Sequence, residues 1–504
     1  MKYAAIILFA FLSTAIALTA AANPIAVSTD ENWCQIANDA APGDILELAG
    51  GDHDNSCHLR AAGTADQPIV IRSADPGNPA RLAYHGTGAN TVEIRSESQY
   101  LTIENLHFPG TAGPHAIRFH EPRNITIRGN HFERTGGVTL SANFSDTHPQ
   151  GLQILDNTIF DVDTTAIYFG CHGGADDCQA TDVLIEGNTI YGVDSPGVGY
   201  GIQIKADSNA VIRDNAIFDI KGPGIMVYGS HDPDLPPSAI DGNLVITSRT
   251  SGGILIGGGP AIVTNNIVAD GSTYGIHVYQ HNAGAPLREV VVAHNTLIDN
   301  QGNAIHAAGW SEEGGNILVN NAIAPGDHAA IGGNPNGLVE NNITCDPPSE
   351  CFFAPNDSPF SVTPLAMGPL TDAAPTYDAP WYPGVDFLGH SRDDQNFAGA
   401  LNVADDDGHP WLEFGQSRPE RDGDGDPDDD DDGESGDDED SEDDGESEDD
   451  GDGDDQSATP SQDGDEPAGC GCASASHGPD TTAIVALLVL VGFLTIARRK
   501  SPIY

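Results

Sequence analysis

The sequence predicts an all-β solenoid, a chain wound into stacked coils of short strands, and three observations carry the prediction. Residues 182–229 hold one unit twice: an apolar-alternating run, an Asn, an Ile two residues on, a Gly-containing turn and a second alternating run. The first copy is Val183, Ile185, Asn188, Ile190 and Gly201–Lys205; the second is Ala210, Ile212, Asn215, Ile217 and Gly224–Tyr228. Alternation with a period of two marks strands with one buried face, and two short strands per ~25 residues, repeated, mark coils. The same Asn recurs at Asn130, Asn157, Asn188, Asn215, Asn243, Asn266, Asn295, Asn321 and Asn342, with spacings of 27, 31, 27, 28, 23, 29, 26 and 21 residues.

A stacked Asn column has a physical cause. At a bend between strands Asn tolerates left-handed backbone geometry. Its amide both donates and accepts, so each can bond to the Asn one coil away, at ~4.8 Å. Asn105 falls one residue out of phase, so the earlier coil is expected to be looser. Unrelated Asn-rich turns of a β-sandwich would not keep nine copies in phase, each with an apolar residue three positions earlier.

On these residues the stretch from Pro24 to Gly415 resembles the right-handed parallel β-helix superfamily, the fold of pectate-lyase-like proteins. The resemblance implies a right-handed parallel β-helix of about ten coils with a capped N-terminus. It does not imply one activity, because that fold hosts lyases, hydrolases, epimerases, adhesins and inert spacers.

In chain order, residues 1–22 read as a secretory signal: Lys2, an apolar run from Ala4 to Leu18, and an Ala20–Ala22 cleavage site. Residues 23–100 read as an N-terminal cap and first coils. Trp33–Ala41 is expected to be a short amphipathic helix and Pro42–Leu48 the first strand, followed by Pro68–Arg72 and Val92–Arg95. Such a cap covers the apolar end of a solenoid. The repeats fill 101–351. A Pro-rich C-terminal cap fills 352–415, where Val385–Arg392 resembles a segment that closes such solenoids by running back over the last coil. Residues 416–469 form an acidic linker. From Asp422 to Glu466, 26 of 45 residues are Asp or Glu and none is Lys or Arg, so the linker cannot bury a core and is expected to be disordered.

The tail, 470–504, holds Cys470 and Cys472, an apolar stretch at 481–497, then Arg498, Arg499 and Lys500. Seventeen residues is the short end of a transmembrane helix, and the basic cluster places its C-terminal side in the cytoplasm. The arrangement resembles the C-terminal sorting signal of myxobacterial surface proteins. That resemblance implies processing near the cysteines and export to an anchored place at the cell surface.

A net charge of −56 excludes a nucleic-acid partner and suits a salty habitat, where self-repulsion is screened. Six of the eight cysteines fall in close pairs, Cys34/Cys57, Cys171/Cys178 and Cys345/Cys351, which read as local disulfides of an exported protein. No four ligands stand at zinc spacing, so no metal site is expected. Calcium stays open as a cofactor, because Asp422–Asp428 resembles acidic calcium-binding repeats but lacks a cleanly placed Glu at the end of a twelve-residue loop. The chain is expected to be a monomer.

Chemistry is sought on the outward positions of the Gly-Ile-x-Ile strands. Alternation gives one outward column of Arg118, Thr139, Tyr168, Gln203, Met226, Leu255, His277 and His306, and a second of His120, Ser141, Gly170, Lys205, Tyr228, Gly257, Tyr279 and Ala308. The basic and aromatic members, with Gln203, are the expected substrate-binding residues. Long insertions leave one edge of these strands and carry His148, His172, His231, His281 and Trp310 as candidate groove walls. Aromatic faces stack on sugar rings and polar groups bond hydroxyls, so the expected partner is a polysaccharide.

Lys205 is the sharpest residue, one of two lysines between the signal and the tail. Its strand is similar to the lysine-containing strand of some β-helix polysaccharide lyases. The resemblance implies a Lys that abstracts the proton beside a uronate carboxylate, with a nearby Arg assisting. Arg213 stands eight residues on but on a different strand by phase. The competing reading gives Lys205 a surface salt bridge with Asp207 or Asp182. A pectin-hydrolase reading fits less well, because no Gly-His-Gly is present. Two functions stay open: a surface enzyme that cleaves a uronate-containing glycan by β-elimination, and a non-catalytic surface adhesin or spacer.

Overall fold

A computed structural model describes residues 24–402, apart from 85–89, 111–113, 283, 311–313, 353–361 and 393–396. The expected signal, acidic linker, sorting cysteines Cys470 and Cys472, and transmembrane stretch with Arg498 and Arg499 lie outside the described residues. Among the described residues no helix is long and apolar enough to cross a membrane.

The described chain is a right-handed parallel β-helix. Three parallel sheets of 13, 12 and 11 strands run the length of the described solenoid, and each coil between its two ends gives one strand to each. The coil holding Lys205 shows how sequence makes this shape. Val183 and Ile185 point inward from the 13-stranded sheet, Ile190 and Val193 from the 12-stranded sheet, and Ile202 and Ile204 from the 11-stranded sheet; all six are buried. The coil above repeats them, with Ile185 opposite Ile212, Ile190 opposite Ile217 and Ile202 opposite Ile225. Like-on-like stacking lets branched side chains interdigitate at interior density without a second layer.

The Asn ladder closes as expected. The side-chain Nδ2 of Asn188 donates to Asn215 Oδ1 at 2.9 Å, and Asn215 Nδ2 donates to Asn243 Oδ1 at 2.9 Å. The chain of bonds is unbroken from Asn130 to Asn342. Each Oδ1 also accepts the backbone N–H of the preceding rung, as Asn215 Oδ1 does from Asn188 N at 2.9 Å. The column therefore satisfies buried polar groups at every corner.

One expectation about the ladder is corrected. The left-handed residue is not the ladder Asn but the one before it: Gly129, Asp156, Gly187, Asp214, Gly242, Asn265, His294, Asn320 and Asn341 all have φ between 53° and 68°. Gly, Asp, Asn and His are the types that enter this region at least cost. The ladder Asn stays in an ordinary conformation and uses its amide for the column. Below Asn130 the rung is Leu106, whose backbone N–H donates to Asn130 Oδ1 at 3.0 Å, while the out-of-phase Asn105 takes the left-handed position.

The glycine opening each Gly-Ile-x-Ile strand has a separate cause. A Cβ on Gly201 would stand 2.4 Å from the carbonyl oxygen of Gly224, and one on Gly224 would meet Val245 at 2.5 Å. Adjacent backbones approach too closely there for any side chain.

At the N-terminal end the helix is shorter than expected, Trp33–Asn38, because Asp39 ends it. The first strand of the cap, Pro24–Val27, pairs in parallel with Ile45–Leu48, which begins three residues later than the sequence suggested. The three expected disulfides form: Cys34–Cys57, Cys171–Cys178 and Cys345–Cys351.

The C-terminal segment does not simply fold over the last coil. It runs back along the outside of the 12-stranded sheet, where Phe387, Phe397 and Leu401 pack with the outward Leu244, Ile246 and Ile298. Buried Arg392 fixes it, donating to Asn265 Oδ1 at 2.7 Å and to the Gly399 carbonyl at 3.0 Å. Asn402 donates its backbone N–H to the buried Asp386 carboxylate at 2.7 Å.

Candidate functional site

The outer face of the 11-stranded sheet carries the expected column, with one change. Strand register places Glu93, Arg118, Ser141, Tyr168, Gln203, Met226, Leu255, His277 and His306 in line. Ser141, not Thr139, occupies the rung between Arg118 and Tyr168, because Leu140 rather than Val138 stands opposite both Ile117 and Ile167. A slip of two residues keeps every side chain on its face, so alternation alone cannot detect it.

The centre of this face is sealed rather than open. Lys205 and Tyr228 are each 1 % exposed and Gln203 2 %, and Met226 and Leu255 pack beside them with Ala206, Tyr200 and Tyr279. The Lys205 ammonium nitrogen lies 2.5 Å from His172 Nε2, 4.6 Å from the centre of the Tyr228 ring and 5.0 Å from that of Tyr168. A contact this short needs one nitrogen to donate and the other to accept. His172 follows Cys171, and the Cys171–Cys178 bond holds its loop against the sheet. Lys205 is thus not the surface residue of the competing reading. Asp182 accepts from Gln150, and Asp207 accepts the backbone N–H groups of His231 at 2.6 Å and Ala175 at 3.2 Å. Burial works against the Asp207 carboxylate, but these bonds outweigh it and hold its pKa below the usual value.

Tyr228 is held as a neutral phenol. Burial, reinforced by the Tyr200 hydroxyl, raises its pKa well beyond the ordinary phenol value. Its oxygen accepts from Gln203 Nε2 at 3.1 Å, so its own O–H is directed elsewhere. His281 stands edge-on to it at 4.8 Å. Arg213 lies on the 13-stranded sheet and pairs with Glu186 at 3.0 Å, so it does not join Lys205.

Two more groups lie on the column, one toward each end. Toward the N-terminus, His120 bonds Glu93 at 3.1 Å and Arg95 at 2.8 Å and stacks on Phe144 at 4.3 Å, and the Arg118 guanidinium lies 4.1 Å above the same ring. The His120 bond, helped by His58, outweighs burial and holds the Glu93 carboxyl at about 2. Toward the C-terminus, His277 stacks on Tyr279 at 4.3 Å and meets Tyr274 at a tilt at 4.4 Å, and Tyr274 stacks on His306 at 4.7 Å. Burial and then His306 push His277 down to about 4, so this platform is neutral at pH 7. Trp310, expected in a groove wall, is buried in the main core instead. His172, expected in a groove wall, reaches Lys205 itself, whereas Phe144 and Tyr274 were not among the expected contact residues; all three come from turns and insertions, whose approach to the sheet no alternation pattern encodes.

Fold and face together define a parallel β-helix protein with a basic and aromatic strip on one sheet. The family model for the right-handed beta helix region matches residues 143–343. Among solved structures, the chain is similar to an alginate lyase from Paenibacillus sp. str. FPU-7, at 17 % identity over 63 % of this chain and 99 % of that one, with a TM-score of 0.33. It is similar to the A-module of a mannuronan C-5 epimerase from Azotobacter vinelandii, at 17 % identity over 62 % and 90 %, with a TM-score of 0.44. It is also similar to a PL6 family polysaccharide lyase from Pseudopedobacter saltans, at 14 % identity over 64 % and 93 %, with a TM-score of 0.41. No curated protein matches the chain.

Proposed function

We propose that the outer face of the 11-stranded sheet binds an acidic polysaccharide and that Lys205 cleaves it by β-elimination. The observation that carries this is the contact of Lys205 with His172 between two tyrosine rings. In the reaction a neutral Lys205 amine takes the proton from the carbon beside a uronate carboxylate. The electron pair moves to form a carbon–carbon double bond, and the glycosidic carbon–oxygen bond breaks. Tyr228 gives its proton to the departing oxygen, and Lys205 leaves as ammonium, its proton shared with His172. General acid–base roles of this kind need matched donors and acceptors within hydrogen-bond reach. Tyr168, His277, Tyr279 and His306 supply stacking surface on either side, and Arg118 a positive charge for carboxylates. Entry of a glycan to Lys205 requires the Cys171–Cys178 loop to lift.

The burial of Lys205, Gln203 and Tyr228 favours a second reading, in which the cluster only packs the loop to the sheet and the protein is an adhesin or spacer. Incubation with a panel of uronate-containing polysaccharides separates the two. Ultraviolet absorbance of unsaturated products, lost in Lys205→Ala, supports the lyase. Glycan retention without products, weakened in His277→Ala, supports the adhesin.

The same proposal places the protein outside the cell as a monomer. It is exported through 1–22 and anchored through 470–504, and calcium joins the acidic linker. Deleting 470–504 should release the protein to the medium; retention on cells would move the anchor elsewhere.

A further inference from the structure

The 12-stranded sheet carries a column of its own. His107 and His131 occupy the same position of consecutive coils, and Glu133 follows two residues later on the same outward face. The ligand atoms of the three side chains all lie within 4.8 Å of one another. His107 and His131 meet edge-to-face with ring centres 5.0 Å apart, and Phe160 backs His131 at 5.0 Å. His107 Nε2 is buried without a hydrogen bond, and the nearest anion is Glu133 Oε1 at 3.4 Å.

We infer that His107, His131 and Glu133 form a three-ligand site for a first-row divalent transition ion, with zinc the best match. Two imidazoles and a carboxylate are the ligand types zinc takes, with a fourth position left to water. A tetrahedral zinc ion with bonds of ~2.1 Å sets its ligand atoms ~3.4 Å apart, so side-chain rotations of about 1.5 Å close the site from the positions observed. The second layer is already built. Arg134 bonds Glu133 Oε1 at 2.5 Å and is itself held by the Pro109 carbonyl at 2.9 Å, which orients the carboxylate. The other neighbouring cation, Arg81, is paired with Asp52 at 3.0 Å. The ion joins two coils that otherwise meet here through short strands, His107–Phe108 and His131–Glu133.

The linear sequence hides the site because its spacing is that of the coil and not of any local zinc motif. His107 and His131 are 24 residues apart, and only the turn of the solenoid brings them together.

The test uses the full chain. Cobalt(II) is titrated first, because a tetrahedral His–His–carboxylate site gives visible absorption that loosely held ions on the acidic linker do not. Zinc is then titrated calorimetrically and by melting temperature. The expected result is one saturable site, a visible cobalt band displaced by zinc, and a melting temperature raised by zinc. His131→Ala should abolish the band and weaken zinc at least about ten-fold. Glu133→Gln, which keeps the side-chain shape, should weaken it without changing the metal-free melting temperature. Equal zinc binding in wild type and a His107→Ala/His131→Ala pair, or no cobalt band in wild type, overturns the site.

Discussion

The ladder corner and the outer strip are both columns of one residue per coil on the same scaffold, and they use repetition in opposite ways. In the corner the nine rungs are the same residue, joined by the same bonds. In the strip the rungs differ from Arg118 through Ser141, Tyr168, Gln203, Met226 and Leu255 to His277, and only His277 and His306 match. Repetition fixes the coil; departure from repetition makes a place on it unique. Lys205 stands where the outward face does not repeat.

The largest effect that would sharpen this contrast is functional. Lys205→Ala should lower β-elimination about 10²–10⁴-fold, the usual range for loss of a general base, and leave urea unfolding nearly unchanged. Unchanged turnover on a substrate the wild type cleaves removes Lys205 from the chemistry. The ladder should behave in the opposite sense. Asn215→Ala takes the acceptor from the buried Asn188 backbone N–H and one partner from each neighbouring amide, so stability should fall by about 1–3 kcal/mol with no direct effect on glycan contact. A drop below that range would show that water or a backbone shift replaces the rung.

Replacing Cys171 and Cys178 by Ser should cost up to about 2 kcal/mol by the loop-closure argument for so short a loop. Its clearer effect should be local: hydrogen exchange faster in 171–182 and unchanged in the strand Val183–Glu186. Uniform acceleration along the coil would mean that loop and sheet open together.

The mildest prediction concerns pH. His115 and His277 are each held down at about 4, by burial and then by Arg118 and His306 respectively. Unfolded chains bind those protons near the ordinary pKa of 6.5. Stability from the neutral imidazoles is thus complete above pH 6.5 and is lost as pH falls toward 4. Glu93 adds a second loss, between 4.5 and about 2, because its depressed carboxyl must then be protonated. His277→Asn should flatten the first part of the acid limb and leave the second unchanged.

The corner was legible in the sequence because its signal is redundant. Nine in-phase Asn residues and the inward Ile, Val and Leu three positions before each specify the coil many times over. The identity of the left-handed residue was misread because Asn, Asp and Gly share that tolerance and stand side by side at the corner. The strip was legible as a face and less so as a site. Tyr168, Gln203, Lys205 and Tyr228 fall where alternation puts them, but their burial does not follow from alternation. It is imposed by loops such as 171–182, which bring His172 across 33 residues of chain to Lys205. Register was legible only modulo two, which is why Thr139 displaced Ser141. His107, His131 and Glu133 were invisible for a related reason: their strands, His107–Phe108 and His131–Glu133, are too short for alternation to mark an outward column.

The identical sockets of the ladder have a consequence for how such a chain can change length. Each rung presents to the coil above what it receives from the coil below. Excising residues 188–214 would bring Asn215 directly above Asn157 and offer the same Oδ1 to the same donors. Val183–Glu186 would then meet Ser238–Asp241, and Ile167–Phe169 would meet Ile225–Val227, with branched residues again facing branched residues. The molecule can lose or gain a whole turn as a unit of inheritance, and a shortened form would keep its shape while discarding Lys205 altogether.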